Sequence, residues 1–163
     1  MRQRPARIIS GGQTGADRAG LDAAAAFGIP YAGWCPKGGW AEDMPLPPGI
    51  LAHYPALRET SSTDPRERTR LNVRDSDATL LLLTAKVGLD VSKGACLAVE
   101  IARAIRRPCL VLDIENEASV DAAHAWLASL NHRECAINIG GPRESEALGL
   151  YRAAYAFLRE LLR

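Results

Sequence analysis

A glycine-rich turn near the start of the chain has the residue types of an anion-binding site. It runs Gly11-Gly12-Gln13-Thr14-Gly15 and joins the apolar pair Ile8-Ile9 to an alanine-rich segment. Because glycine has no side chain, the backbone N–H groups of the turn are accessible to a ligand. The helix predicted at about 15–27 adds unpaired N–H groups and the positive end of its dipole. The Gln13 and Thr14 side chains are two further donors. The turn therefore predicts a site for phosphate or another oxyanion, with a tight turn that binds nothing as the alternative.

Two more segments of this kind follow predicted strands later in the chain. One follows the apolar run 78–83, and the other follows the predicted strand 135–139. In open parallel sheets, ligands bind outside the carboxyl ends of the strands, so all three segments are expected to converge on one pocket. The predicted ligand-binding residues are Gly11, Gly12, Gln13, Thr14, Gly15, Lys86, Ser92, Lys93, Gly94, Gly140, Gly141, Pro142, Arg143, Glu144 and Ser145. We expect valine at Gly12 to block the anion and to leave the fold intact.

Glu100 is the candidate catalytic residue if the chain is an enzyme. It lies six positions after Gly94 in the next predicted helix, where its carboxylate could stabilise an oxocarbenium-like centre with Arg70 or Arg74 as partner. An ion pair with an arginine one turn further along the helix is the structural alternative. The sequence shows no His/Asp/Ser or Cys/His arrangement for nucleophilic catalysis, and a binding protein is favoured over an enzyme.

Composition excludes several classes of partner. The 163 residues fit one domain spanning 1–163, and 20 Lys and Arg against 19 Asp and Glu leave a formal net charge of +1. This balance gives no electrostatic case for nucleic acid or a membrane surface. The four cysteines form no C-x-x-C pair, so no metal site is predicted and free thiols in a reducing cytoplasm are expected. The apolar stretch behind the basic N-terminus is too short for a signal peptide.

Strand and helix patterns alternate along the chain. Strands are predicted at 8–9, 29–33, 78–83, 108–112 and 135–139, and helices at 15–27, 65–75, 95–106, 119–130 and from the last glycine turn to residue 163. A short edge strand is predicted at 51–57, and residues 34–50 are predicted to form a long ordered loop that either covers a ligand or packs on the body. The pattern predicts an α/β, Rossmann-like three-layer sandwich with a mostly parallel central sheet flanked by helices.

The chain resembles the molybdenum cofactor carrier proteins, a circularly permuted branch of the YpsA-like SLOG superfamily. The segments that carry the resemblance are 9–18 (ISGGQTGADR), 21–24 (LDAA), Asn72, 76–80 (SDATL) and 138–143 (NIGGPR). The resemblance implies a Rossmann-like homo-oligomer, a dimer or tetramer, that holds the phosphate-bearing molybdenum cofactor (molybdopterin), or molybdate or tungstate, without transforming it. Molybdoenzymes that receive the cofactor are the implied protein partners.

Nucleotide-cleaving relatives in the same superfamily carry P-G-G-x-G-T-x-x-E at the start of a helix. Residues 92–100 of this chain read SKGACLAVE, and of that motif only Gly94 and Glu100 agree. The leading interpretation is therefore a carrier of a small anionic ligand. A nucleoside-monophosphate phosphoribohydrolase that uses Glu100, with a nucleotide as ligand, is the alternative. A third possibility is an oligomeric scaffold whose glycine turns bind only buffer anions.

Overall fold

A computed structural model describes residues 3–130 and 134–163, so Met1 and Arg2 of the basic N-terminus lie outside the described residues. Six strands form one sheet in the order β3-β2-β1-β6-β4-β5, and every neighbouring pair is parallel. The strands are β1 (Arg7–Ile9), β2 (Tyr31–Cys35), β3 (Leu57–Glu59), β4 (Ala78–Leu83), β5 (Cys109–Asp113) and β6 (Ala136–Gly140).

Helices cover both faces of the sheet. They are α1 (Ala16–Ala26), α2 (Pro65–Arg74), α3 (Lys93–Ala104), α4 (Ser119–Ser129) and α5 (Leu150–Leu161). Leu80 and Leu82 of β4 pack with α1, α4 and α5, whereas Leu81 packs with α2 and α3. A strand that alternates between two helical layers must be apolar at every position, which explains the continuous leucine run. The predicted Rossmann-like α/β class is confirmed.

The last strand in sequence is central in the sheet. β6 lies between β1 and β4, with Asn138 opposite Ile9 on one side and Thr79 on the other. The carboxyl ends of the three strands therefore meet in the middle of one sheet edge. This is the place where the chain changes direction across the sheet, and it is the usual position of a ligand in open α/β folds.

Three predicted boundaries are wrong. The second strand is Tyr31–Cys35 and not 29–33, so the loop predicted at 34–50 begins after Cys35. Residues 51–57 do not form an edge strand: Gly49–Ala52 is a 3₁₀ helix, and only Leu57–Glu59 pairs with β2. The reason is that Ile50 is fully buried against Leu21 and Leu57, and its carbonyl accepts the N–H groups that follow. The terminal helix begins at Leu150 because the Glu144 carboxylate accepts from the backbone N–H groups of 149 and 151.

The small residues of α1 pack inside this chain. A Cβ atom at Gly20 would lie 3.0 Å from Ile139 Cβ, so glycine lets α1 approach β6 closely. The alanine-rich helix therefore gives no argument for a subunit interface. Among the described residues, no helix is both long enough and apolar enough to cross a membrane.

Candidate functional site

A small cavity lies at the meeting point of β1, β6, α2 and α3, and we call it the inner cavity. Its volume is about 60 Å³. A single buried water needs about 10–15 Å³, so the inner cavity accommodates a few oxygen-sized groups. Seven of the predicted ligand-binding residues line it: Gly11, Gln13, Ser92, Gly94, Gly140, Gly141 and Arg143.

Arg68 supplies a buried positive charge to the inner cavity. On α2, Arg68, Leu71 and Asn72 share the face turned to the protein, and Arg68 is only 7% exposed. Its Nη1 donates to the Gly11 carbonyl at 3.4 Å. This is the one hydrogen bond that the Arg68 side chain makes to residues that the structure describes. Burial lowers the pKa of Arg68, against the opposing field of Asp17. A guanidinium has five N–H donors, so Arg68, which lines the cavity, keeps donors that no described residue engages.

Asp17 lines the inner cavity with Arg68: the position of a Cβ atom at Gly11 is 3.0 Å from Asp17 Oδ2 and 2.9 Å from Arg68 Nη1. It keeps some exposure through the cavity mouth but is otherwise enclosed by protein. Burial raises the pKa of Asp17 to about 6, although Arg68 and the backbone N–H of Gln13 both favour its ionised form. Loss of hydration therefore outweighs these attractions, and the carboxyl group titrates close to neutral pH.

Gln13 leaves a donor without a partner beside the inner cavity. Its Oε1 accepts from Thr14 N and from Glu42 N, both at 3.0 Å, and these two bonds fix which end of the amide is the oxygen. Gln13 is 3% exposed, and its Nε2 has no hydrogen-bond partner in the described part of the chain. An unsatisfied buried donor costs about 1–3 kcal/mol, so the amide needs an acceptor.

The start of α3 forms another wall of the inner cavity. The Ser92 side chain accepts from Ala95 N at 3.2 Å and begins the helix at Lys93. The helix N-terminus thus adds a positive dipole end to the Arg68 side of the cavity. Lys93 itself is exposed and lies outside the inner cavity, in the neighbouring groove.

A wider groove opens from the inner cavity toward solvent, and we call it the outer groove. Its volume is about 640 Å³, and it shares Arg68, Thr69, Gly94 and Arg143 with the inner cavity. Leu89, Leu97 and other side chains of 64–66 and 89–100 line the rest of it. A small charged cavity that opens into a larger groove suits a ligand with a compact anionic end and a bulkier organic part.

Glu100 lies in the outer groove and not in the inner cavity. It is exposed on α3, and its Oε1 is 3.9 Å from Cys96 Sγ. Arg70 and Arg74, its predicted partners, pair instead with Glu67 and Asp75 on the exposed face of α2. The structure therefore does not bring Glu100 together with Arg70 or Arg74, as the phosphoribohydrolase alternative requires.

The glycine turns 11–15 and 140–145 meet at a second place, which we call the closed junction. It consists of Thr14, Glu42, Glu144 and Ser145. Thr14 Oγ1 accepts from Glu144 N at 3.0 Å and donates to Glu42. Ser145 donates to the same carboxylate through its N–H at 3.2 Å and its hydroxyl at 2.6 Å. Burial opposes ionisation of Glu42, but the hydrogen bonds from Ser145 and Thr14 outweigh it and lower its pKa. The chain's own carboxylate thus occupies the place predicted for an anion.

Glycine is required where the two turns touch. Gly15 has a φ of 80°, and a Cβ atom there would lie 2.4 Å from the Pro142 carbonyl oxygen. Residues 11–15 and 140–145 are therefore adjacent. Of these residues, Thr14, Gly15, Pro142, Glu144 and Ser145 do not line the inner cavity.

The loop that follows β2 supplies Glu42, and side chains of α1 hold it in place. Arg18 donates to both Asp43 oxygens at 3.0 and 2.9 Å, and Tyr54, just beyond the loop, donates to Asp22 at 2.6 Å. The loop therefore packs on the body and supplies a carboxylate to the closed junction, and none of its residues lines the inner cavity.

The structure places two of the predicted residues, Lys86 and Gly12, away from the inner cavity. Lys86 is exposed and does not line the inner cavity, because the turn after β4 carries it outward. Gly12 faces the core: a Cβ atom there would lie 2.4 Å from Ile50 Cδ1 and 3.1 Å from Leu57 Cδ1. Valine at Gly12 would therefore disturb the fold and would not be a clean test of ligand binding.

The sequence interpretation missed Arg68, Asp17 and Glu42. Arg68 was hidden beside a more obvious stripe of arginines, although its spacing of three from Leu71 marks the inward face of α2. Asp17 resembled an ordinary solvated residue of a first helical turn. Glu42 carries no local signal, because its partners lie in two distant segments. No group of three or more His, Cys, Asp or Glu residues that could hold a metal occurs within 3–130 and 134–163.

Comparison with known proteins places the chain in a family. Residues 8–162 match the family described as "Circularly permutated YpsA SLOG family". The crystal structure of a "Putative molybdenum carrier protein" from Syntrophus aciditrophicus SB is similar, with 36% sequence identity and a TM-score of 0.85 over 100% of this chain and 98% of that one. No curated protein was found to match. The match covers nearly the whole length, and the chain belongs to the circularly permutated YpsA SLOG family.

Proposed function

We propose that this protein binds the phosphate-bearing molybdenum cofactor or a related oxyanionic ligand and does not transform it. The oxyanion lies in the inner cavity, and the organic part of the ligand lies in the outer groove. The observation that carries the proposal is that Gln13, whose buried Nε2 has no partner among the described residues, and Arg68, with one side-chain hydrogen bond, line the same cavity. A molybdenum carrier as structural relative supports the choice of ligand.

Size supports the division of the ligand between the two spaces. The inner cavity of about 60 Å³ admits a tetrahedral oxyanion but is far too small for a pterin. The outer groove of about 640 Å³ falls within the roughly 300–1,000 Å³ of small-molecule sites. Its leucine side chains offer apolar contact to a flat organic group.

The donors of the inner cavity are sufficient for useful affinity. A hydrogen bond to a charged group contributes about 1.5–3 kcal/mol, and micromolar binding corresponds to about 8 kcal/mol. Arg68, Gln13, Arg143 and the N-terminus of α3 together reach this range after ordering costs are subtracted. All four of these groups donate hydrogen bonds, which suits holding an anion.

Arg68→Met tests the site directly. Because a guanidinium makes two charge-assisted hydrogen bonds to an oxyanion, we expect the affinity for isolated molybdenum cofactor and for inorganic phosphate to fall by about 100-fold or more. Isothermal titration calorimetry measures the affinity, and circular dichroism checks the fold. Arg70→Met, on the exposed face of the same helix, is the matched control and should bind as the unchanged protein does.

Two outcomes would contradict the proposal. Unchanged affinity in Arg68→Met would show that the inner cavity is not the binding site. Thermal unfolding that is indifferent to phosphate, molybdate, tungstate, the cofactor and nucleotides would favour the scaffold interpretation, since a ligand at 100 times its dissociation constant adds about 2.7 kcal/mol.

A further inference from the structure

One carboxylate shares the inner cavity with the donors. Asp17 Oδ2 lies 3.0 Å from the position that a Cβ atom would take at Gly11, and Asp17 Oδ1 lies 3.6 Å from the same position at Gly140. Both glycines line the inner cavity. The Asp17 carboxylate therefore stands between the ends of β1 and β6, where a bound oxyanion would meet it.

The charged groups around Asp17 come from three elements. Arg68 faces it from α2, Arg143 from the turn after β6, and Arg18 from its own helix. Glu146 also lines the cavity, but its Oε1 is engaged by Arg143 N at 3.0 Å and by Arg143 Nε at 3.5 Å. From α3 the cavity is lined by small residues together with the Ser92 that precedes them. Asp17 is thus the carboxylate of the cavity that is placed to face a ligand.

An ionised carboxylate only accepts hydrogen bonds. A bare oxyanion also only accepts, so the two would repel each other without a proton between them. Inorganic phosphate carries at least one proton near neutral pH, and a phosphate monoester, with its second pKa of about 6, carries one in part of its population. Molybdate, tungstate and sulfate carry none at that pH.

We propose that Asp17 makes the inner cavity selective for an oxyanion that presents a proton to it, which means a hydrogen phosphate group, and that it excludes molybdate, tungstate and sulfate. This inference rests on the proposed function and names the part of the ligand that is recognised. The phosphate end of the cofactor, and not a free molybdate ion, is then what the cavity holds. A site that leaves a buried acceptor unpaired rejects the wrong ligand strongly.

The selectivity depends on pH in a definite direction. Burial raises the pKa of Asp17 to about 6, so the group is ionised at pH 8 and mostly protonated at pH 5. A protonated Asp17 donates its O–H to a bare oxyanion. Discrimination against sulfate is therefore strong at pH 8 and weak at pH 5.

Calorimetric titration with inorganic phosphate, sulfate and molybdate at pH 8 tests the proposal. We expect the unchanged protein to bind phosphate about 100-fold more tightly than the other two anions, the equivalent of one lost charge-assisted hydrogen bond. Asp17→Asn, whose amide can donate, should bind all three within about tenfold of one another. Asp121→Asn on exposed α4 is the matched control and should keep the preference for phosphate.

A second measurement needs no variant. For the unchanged protein, sulfate affinity should rise at least tenfold between pH 8 and pH 5. If the unchanged protein binds sulfate or molybdate as tightly as phosphate at pH 8, the role of Asp17 is overturned while the proposed function stands. If none of the three anions binds at either pH, both proposals are overturned.

Discussion

The inner cavity and the closed junction have similar chemistry but opposite states of hydrogen bonding. Both lie beside a glycine turn, and both present backbone or side-chain donors to an anion. In the closed junction, the Glu42 carboxylate accepts from Thr14 and Ser145. In the inner cavity, Gln13 Nε2 has no partner among the described residues. A glycine turn therefore indicates that donors are available, and the hydrogen bonds of the folded chain show which of them are left for a ligand.

The difference comes from the charge of the side chain that a neighbouring segment supplies to each site. The loop after β2 brings to the closed junction the Glu42 carboxylate, whose pKa is lowered by its hydrogen bonds. Helix α2 lies over the inner cavity and brings the Arg68 guanidinium. A negative side chain satisfies the donors of one turn, whereas a positive side chain adds donors to the other. Three variants test this contrast.

Asp17→Asn should give the largest change in stability. The folded pKa of about 6 exceeds the ordinary value of 3.8, so the folded protein holds a proton that the unfolded chain releases between pH 4 and pH 6. The free energy of unfolding therefore falls as pH rises through this window, by up to about 3 kcal/mol at pH 7. We expect Asp17→Asn to be more stable than the unchanged protein at pH 7.5 by part of this amount and to lose the advantage at pH 4.

Urea denaturation at both pH values measures this effect, with Asp121→Asn as the control. Equal stability of Asp17→Asn and the unchanged protein at pH 7.5 would mean that Asp17 does not resist ionisation. The polar groups of the inner cavity would then be as well hydrogen-bonded as those of the closed junction, and the contrast between the two sites would be wrong.

Glu42→Ala should give a smaller effect of the opposite sign. It leaves the Thr14 hydroxyl and both donors of Ser145 without their acceptor, and we expect a loss of about 2 kcal/mol. Adding phosphate or sulfate should recover part of the loss, since an anion can take the vacated place. Thermal unfolding with and without each salt measures both effects.

Asp43→Asn is the matched control for Glu42→Ala. It weakens the pair of Arg18 with the exposed Asp43 on the same loop and should cost less than about 1 kcal/mol. Neither salt should stabilise it more than it stabilises the unchanged protein. Recovery by salt in Asp43→Asn as large as in Glu42→Ala would show a general salt effect and not a vacated anion site.

Glu100→Gln should have the smallest effect. Because Glu100 is exposed in the outer groove, we expect phosphate affinity to change less than about twofold and stability by less than about 0.5 kcal/mol. Incubation with AMP, followed by chromatography for free adenine, tests the alternative function. Rapid release of adenine that disappears in Glu100→Gln would contradict the carrier proposal.

Local patterns predicted the fold class and most of the elements. The run 78–83 is apolar throughout because β4 is buried on both faces, and this was visible in the sequence. The glycine turns could also be predicted, because accessible backbone N–H groups follow directly from glycine residues at those positions. The edge strand at 51–57 failed because burial of Ile50, a tertiary effect, decided the conformation there.

The sequence by itself therefore determined a parallel α/β fold and the existence of glycine turns with N–H donors, because periodicity and backbone sterics act over a few residues. Only the tertiary structure decided which donors stay open. Ser145 meets Glu42 across 103 positions of sequence, and Arg68 meets Gly11 across 57. Insertion of β6 beside β1 brings the turn that carries Ser145 to the turn that follows β1, and packing of α2 on the sheet brings Arg68 to Gly11. Whether a donor has an acceptor depends on such long-range contacts, so no local sequence pattern predicts it.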